Sequence, residues 1–291
     1  MSQATEFAPA KVNLTLRVGR ARADGLHPLC SLVVFADWGD QLHAMEADAL
    51  TLSLGGERAA ALADETQNLV LKAAYALRAA AEQPGLGASI TLTKRLPVAA
   101  GLGGGSADAA AALRLLNRVW DIGFSTRQLA EIGGVVGADV PACVYARPLQ
   151  MTGIGETIHP LIAWPALPAV IVNSGRLVPT GPVFKAYDAR HPDPLKVQNA
   201  PVAGTITDAL SIIAEGRNDL ESPAISLEPT VAHTLEALEV TPGVKLARMS
   251  GSGASCFGLC QTPEAAEAAA EALTRAHPDW TVKAVMLQAA A

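Results

Sequence analysis

Residues Leu96–Ala112, LPVAAGLGGGSADAAAA, set four glycines (Gly101, Gly103, Gly104 and Gly105) behind a proline-led turn and ahead of Ser106. An alanine-rich helix start follows. Glycine has no Cβ, so such a run lets backbone N–H groups curl around a ligand that side chains would exclude. The helix after it adds unpaired N–H donors and the positive end of its dipole, which suits a phosphate. A Walker loop is excluded because no Lys follows the glycines. The Rossmann and protein-kinase loops need glycine at the sixth position of G-x-G-x-x-G, where this chain has Ser106. A close-packing turn is the other reading, but four glycines exceed what a turn needs and each costs conformational entropy.

Three further segments hold residues capable of chemistry. Pro9–Leu14 (PAKVNL) sets the cation Lys11 and the amide Asn13 on one side of a strand. That side could also simply face solvent. In Gly137–Pro141 (GADVP) a lone carboxylate, Asp139, stands between apolar residues at a turn, as a general base or as a helix N-cap. Met249–Ala254 (MSGSGA) is a second small-residue loop, otherwise a plain hairpin connection. The four cysteines, Cys30, Cys143, Cys256 and Cys260, form no C-x-x-C pair and read as reduced structural thiols.

Together the segments resemble the GHMP family of small-molecule kinases. Pro97–Ala107 is similar to its ATP-phosphate loop and Gly251–Gly253 to its C-terminal motif. PAKVNL, DGLHPL (Asp24–Leu29), NLV (Asn68–Val70), GADVP and VPTGPVFK (Val178–Lys185) follow in order along nearly the whole chain. They point to the branch acting on a cytidine diphosphate sugar-alcohol. The resemblance implies an α+β fold of two domains, ribosomal-protein-S5-like (1–160) and ferredoxin-like (161–291), with the site between them. It implies ATP with Mg²⁺ as donor and the 2-hydroxyl of that sugar-alcohol as acceptor. Asp139 would be the base and Lys11 would orient it. Adenine would lie near Asn68, Leu69 and Lys94, and the nucleotide would run over Pro97, Val98, Ala99, Ala100, Gly101, Leu102, Gly103, Gly104, Gly105, Ser106 and Ala107. Asn13, Leu26, His27, Thr180, Phe184, Gly251, Ser252 and Gly253 would meet the substrate, with cytosine near His27 and Phe184 and the diphosphate near Thr180. The family commonly has an aromatic residue before that histidine; Leu26 stands there instead, so stacking on cytosine is expected to be weaker. Leu26 and Phe184 could also be ordinary apolar residues. Homoserine or mevalonate types are the alternatives within the family, and a non-catalytic nucleotide sensor the alternative outside catalysis; DGLH with VPTGPVF, and the presence of Lys11 and Asp139, argue against them.

Composition agrees with a small-molecule enzyme. The chain has 291 residues, 50% hydrophobic and 17% charged, with net charge −6 and no basic run. Nucleic acid and anionic membranes are therefore poor partners. No apolar run approaches the ~20 residues of a membrane span, and a cytoplasmic protein, monomeric or weakly dimeric, is expected.

The elements that must carry these residues are legible from periodicity. Strands are expected at Ala10–Val18, half-buried by its alternation, and at Ser31–Phe35, Gln41–Ala47, Leu50–Leu54 and Ala88–Lys94. A helix is expected over Asn68–Glu82, and another after the glycine loop, buried along Ala109, Ala112, Leu113, Leu116, Val119 and Trp120. Ser125 and Gln128 form a capping box for a helix stopping at Gly133-Gly134. The Pro160–Pro168 stretch marks the domain boundary. Beyond it come a strand (Ala169–Asn173), helices near Pro182–Ala189, Ile206–Glu215 and Ala224–Leu238, strands Lys245–Met249 and Cys256–Cys260, a helix (Pro263–His277) and a strand (Trp280–Leu287). Without the extra helices this is β-α-β-β-α-β, the ferredoxin-like order.

Overall fold

Strand β1 (Gln3–Val18) starts well before Ala10 and is buried on both faces. Lys11, Asn13 and Thr15 are 4%, 3% and 7% exposed, so the alternation marks two covered faces and not a wet one. That overturns the half-buried reading of this strand and the solvent-facing reading of Lys11. The two strands expected at Ser31–Phe35 and Gln41–Ala47 are a single strand, β2 (Leu29–Glu46). Gly39 allows the run to continue beside β1, because a Cβ there would stand 2.2 Å from the Ala8 carbonyl oxygen.

The computed structural model describes residues 2–62 and 68–288. The chain forms two compact units that follow no single cut along it: up to Lys11, Trp38–Val98 and Gly103–Ala146 in the first, and Val12–Asp37, Ala99–Leu102 and Arg147 onward in the second.

In the first unit, β3 (Leu50–Gly55) pairs in parallel with β4 (Ala88–Thr93), which pairs antiparallel with the end of β2. Helix α1 (Leu69–Ala80) is capped by Asn68, whose Oδ1 accepts the Val70 N–H. Helix α2 (Gly104–Val119) buries the expected alanine and leucine stripe, while Arg114 turns aside to pair with Glu6 at 2.7 Å. Helix α3 (Thr126–Val136) has the Ser125–Gln128 capping box, and α4 (Val140–Tyr145) follows it. Helix α3 does not stop at Gly133-Gly134. A Cβ on Gly133 would sit 2.8 Å from Val140 Cγ1, so this glycine permits close packing on α4 and ends nothing.

The second unit adds the hairpin β5 (Leu149–Thr152) and β6 (Thr157–Pro160), then the fully buried β7 (Leu167–Asn173). Helices α5 (Thr180–Asp188), α6 (Ile206–Glu215), α7 (Glu221–Leu227) and α8 (Thr230–Val240) precede β8 (Val244–Met249) and β9 (Cys256–Cys260). Helix α9 (Pro263–Ala276) and β10 (Thr281–Gln288) complete it. The sheet order β10-β7-β9-β8, antiparallel throughout, is the 4-1-3-2 order of a ferredoxin-like sheet. Val170, Val172, Val183, Leu238, Met249 and Leu273 lie in its core. The single helix expected over Ala224–Leu238 is α7 and α8, broken at Glu228-Pro229, where proline cannot donate into a continuous helix. All four cysteines are free and buried, and burial pushes the Cys143 thiol up to about 12. Such thiols are structural. Among the described residues no helix is long and apolar enough to cross a membrane.

Candidate active site

In the first unit the central contact is the ion pair between Lys11 Nζ and Asp139 Oδ2, 2.7 Å apart. Asp139 directly precedes α4 at φ −86°, ψ −14°, and its side chain makes no capping hydrogen bond. Pro141 in the first turn of α4 has no N–H to be capped. The carboxylate is thus freed from the role that its sequence position also allowed, and the helix-cap reading fails. The Lys11 side chain is 5% exposed while that of Asp139 is 40% exposed. A buried cation holds one oxygen of a carboxylate that solvent can reach.

The glycine loop lies against the same lysine. Ala99, Gly101 and Gly103 have φ of 52°, 74° and 61°, the left-handed region in which alanine is strained and glycine is not. Gly103 is the N-cap of α2 and offers no side-chain acceptor. The N–H groups of Gly104, Gly105 and Ser106 therefore have no partner inside the helix. A Cβ on Gly103 would stand 3.1 Å from both Cβ and Cε of Lys11, and one on Gly104 would stand 3.1 Å from Lys94 Nζ. On Gly105 it would meet Leu69 Cδ1 at 3.3 Å. The start of α2 is laid over two lysine side chains and beside the first residue of α1.

Lys94 itself is buried, with its ammonium bonded to Asp40 Oδ2 and, at 2.7 Å, to Asp108 Oδ2. Asp40 Oδ1 also accepts the N–H groups of Arg95 at 2.5 Å and Leu96 at 2.9 Å, fixing the turn into the loop. Burial pushes the Asp108 carboxyl up while Lys94 pulls it down, and the rise wins. Of the residues expected at adenine, Asn68 caps α1 and Lys94 turns its charge to these two aspartates. Ala100, Leu102 and Ala107 are buried, so only their backbone can meet a ligand. Pro97, Val98 and Ser106 are half-buried.

The second unit gathers the remaining candidates. Ser250 Oγ donates to the Gly101 carbonyl at 2.9 Å and accepts the Asn13 N–H at 3.1 Å. A Cβ on Gly251 would stand 3.0 Å from the Gly101 oxygen, so the MSGSGA loop is packed on the first half of the glycine loop and is no plain hairpin. Asn218 Nδ2 donates to the carbonyls of Met249 and Gly251 and holds that loop. Asn13 Nδ2 donates to Ser31 Oγ at 2.8 Å, and Asn13 Oδ1 is buried without a hydrogen-bond partner. Thr180 Oγ1 and Ser252 Oγ are 2.9 Å apart. The His27 ring lies 4.7 Å from the Phe184 ring, and its Nε2 is 2.8 Å from Asp188 Oδ1. Leu26 is 47% exposed and is not a core residue. Asp40, Asp108, Asp188 and Asn218 escaped the sequence reading; only Asp108, a lone charge inside an alanine run, carried a signal there.

The family model for the GHMP kinases N terminal domain matches residues 68–147, and that for the GHMP kinases C terminal matches residues 203–279. The chain belongs to the GHMP kinases. A 4-diphosphocytidyl-2-C-methyl-D-erythritol kinase of Cereibacter sphaeroides is 50% identical over 281 residues, covering 95% of this chain and 96% of that protein. A crystal structure of a 4-(cytidine 5'-diphospho)-2C-methyl-D-erythritol kinase matches with TM-score 0.79 and 34% identity, over 99% of this chain and 100% of the other. Homoserine kinase from Cytophaga hutchinsonii shares the fold, with TM-score 0.73 at 19% identity over 99% of this chain and 96% of the other. The matched N-terminal segment of this GHMP kinase contains the glycine loop, Lys94, Asp108 and Asp139.

Proposed function

We propose that this GHMP kinase transfers the γ-phosphoryl group of ATP to the 2-hydroxyl of 4-diphosphocytidyl-2-C-methyl-D-erythritol, a step of non-mevalonate isoprenoid synthesis. The relatives' names support the acceptor. The observation that carries the chemistry is the solvent-reachable Asp139 carboxylate held 2.7 Å from a buried Lys11 ammonium.

The acceptor is a tertiary alcohol, a hindered and weak nucleophile, so its proton must leave as the phosphoryl group arrives. Asp139 takes that proton when it stands within about 2.6–3.2 Å of the hydroxyl. Lys11 holds and aims the carboxylate through their 2.7 Å ion pair, and its charge favours the negative charge developing on oxygen. The N–H groups of Gly104, Gly105 and Ser106 hold phosphate oxygens at the positive end of α2. Asn13 Oδ1, which lacks a hydrogen-bond partner, is an acceptor for a substrate hydroxyl. His27 and Phe184 take the cytosine ring, and Thr180 with Ser252 the diphosphate.

Among the described residues no three His, Cys, Asp or Glu side chains group as a metal cage. That suits Mg²⁺ arriving on the nucleotide, since this ion keeps several waters and takes phosphate oxygens with one or two protein ligands. The Ser106 hydroxyl, in the first turn of α2, would offer it an oxygen. When bound, the ion would neutralise charge on the transferring phosphoryl group.

A coupled ADP-release assay with the diphosphocytidyl alcohol, mevalonate, homoserine and galactose tests the acceptor. Turnover with the first alone is expected. Turnover with mevalonate or homoserine and none with the cytidine compound would overturn the assignment.

A further inference from the structure

The start of α2 rests on a cluster that no step above uses. Asp40 on β2, Lys94 just after β4 and Asp108 on α2 are 0%, 2% and 3% exposed. Two carboxylates share one ammonium there, and the three do different work. Asp40 spends its second oxygen on the Arg95 and Leu96 N–H groups. Asp108 Oδ1 is buried with no hydrogen-bond partner at all. The Lys94 ammonium lies 3.1 Å from the place a Gly104 Cβ would occupy, directly against the first residue of α2.

A brace for a strand end would need no ammonium at that point. A buried ion pair seldom stabilises a fold beyond what apolar residues of the same volume achieve, because desolvation offsets the attraction. The location is more informative: the charge sits beneath N–H groups that have no acceptor within the helix. A fixed positive charge below a helix N-terminus adds to the dipole there and favours an anion above it.

We propose that Lys94, clamped by Asp40 and Asp108, is a positioning residue for nucleotide phosphate: it fixes the first turn of α2 from below and sets its ammonium, with neither carboxylate, against that turn. This rests on Gly103–Ser106 being the phosphate loop. On that basis Lys94 acts on the phosphates through the Gly104 turn and does not touch adenine with its ammonium.

The test measures calorimetric affinities of the full chain for ATP and for adenosine. Lys94→Met with Asp40→Asn removes one charge of each sign, so no new net charge is buried, and the amide oxygen can still accept the Arg95 and Leu96 N–H groups. ATP affinity is expected to fall at least tenfold with adenosine affinity kept within twofold. A parallel fall for both ligands would make the cluster a mere structural brace, and unchanged ATP affinity would remove its role. Gly105→Asp, which sets a carboxylate at the exposed start of α2, separates the two readings. If Gly105→Asp loses ATP and the double variant does not, only the role of Lys94 fails; if neither loses ATP, the phosphate loop itself is misassigned. Should the double variant not fold, Asp108→Asn alone decides. It leaves Lys94 bonded to Asp40 and adds no negative charge, so ATP must bind at least as tightly as to the wild type, and weaker binding contradicts the proposal.

Discussion

Lys94 Nζ lies 3.1 Å from where a Cβ of Gly104 would stand, so the glycine loop has a buried charge as its floor. Glycine at this position does two things. It leaves the backbone open above to a ligand, and it lets the helix start settle on a desolvated ammonium below.

Gly104→Val therefore strikes both. Its side chain enters the space of Lys94 and Leu96, and overpacking of this kind costs about 1–3 kcal/mol. ATP affinity and melting temperature are expected to fall together. Calorimetry and thermal denaturation check this, and a variant with wild-type melting temperature would show that the floor yields freely.

Asp108 makes stability depend on pH. Its ordinary value is 3.8, and burial, against the pull of Lys94, pushes it up to about 8. Asp40 faces it as a second carboxylate, and the Cys143 thiol on α4, pushed up to about 12, faces it uncharged. The folded chain binds this proton more tightly than the unfolded chain. The resulting stability is full below pH 3.8 and is lost as pH rises to about 8. Asp108→Asn has no such proton. Its melting temperature, taken relative to the wild type, should rise between about pH 5 and pH 8. A constant difference across that range would mean that Asp108 stays ionised throughout.

Leu26→Tyr should tighten the cytidine substrate. Leu26 is 47% exposed, so a ring there does not overfill a core. Stacking on cytosine adds up to ~1.5 kcal/mol, roughly tenfold in affinity. Because that contact is remote from the reacting hydroxyl, KM should fall with kcat unchanged. A level or higher KM would place residue 26 away from the base.

The glycine loop was legible because its signal is local: glycines, their left-handed backbone and a helix start all lie within Ala99–Ser106. The ferredoxin-like sheet was legible too, since β-α-β-β-α-β order fixes few antiparallel arrangements. What escaped depends on distant contacts. Gly39 reads as a break until the Ala8 carbonyl is seen beside it, and then it explains why β2 is unbroken. Gly133 reads as a stop until Val140 is seen against it. Asp40 and Asp108 are 68 residues apart and meet only at Lys94, so no spacing rule joins them. Asp139 shows the same limit. Its neighbours permit a cap or a base, and the cap is set aside only by the missing capping hydrogen bond and by the contact with Lys11, 128 residues away.

That contact bears on the central claim, that Asp139 is the base of phosphoryl transfer. The decisive measurement is the turnover of Asp139→Asn, with ATP affinity measured on the same folded protein. The amide keeps the shape and can still meet Lys11, but it cannot take a proton. Turnover is expected to fall about 10²–10⁴-fold, the usual share of a general base, while ATP affinity stays within twofold. A folded variant with more than half the wild-type turnover would contradict the claim and leave Asp139 only the partner of Lys11.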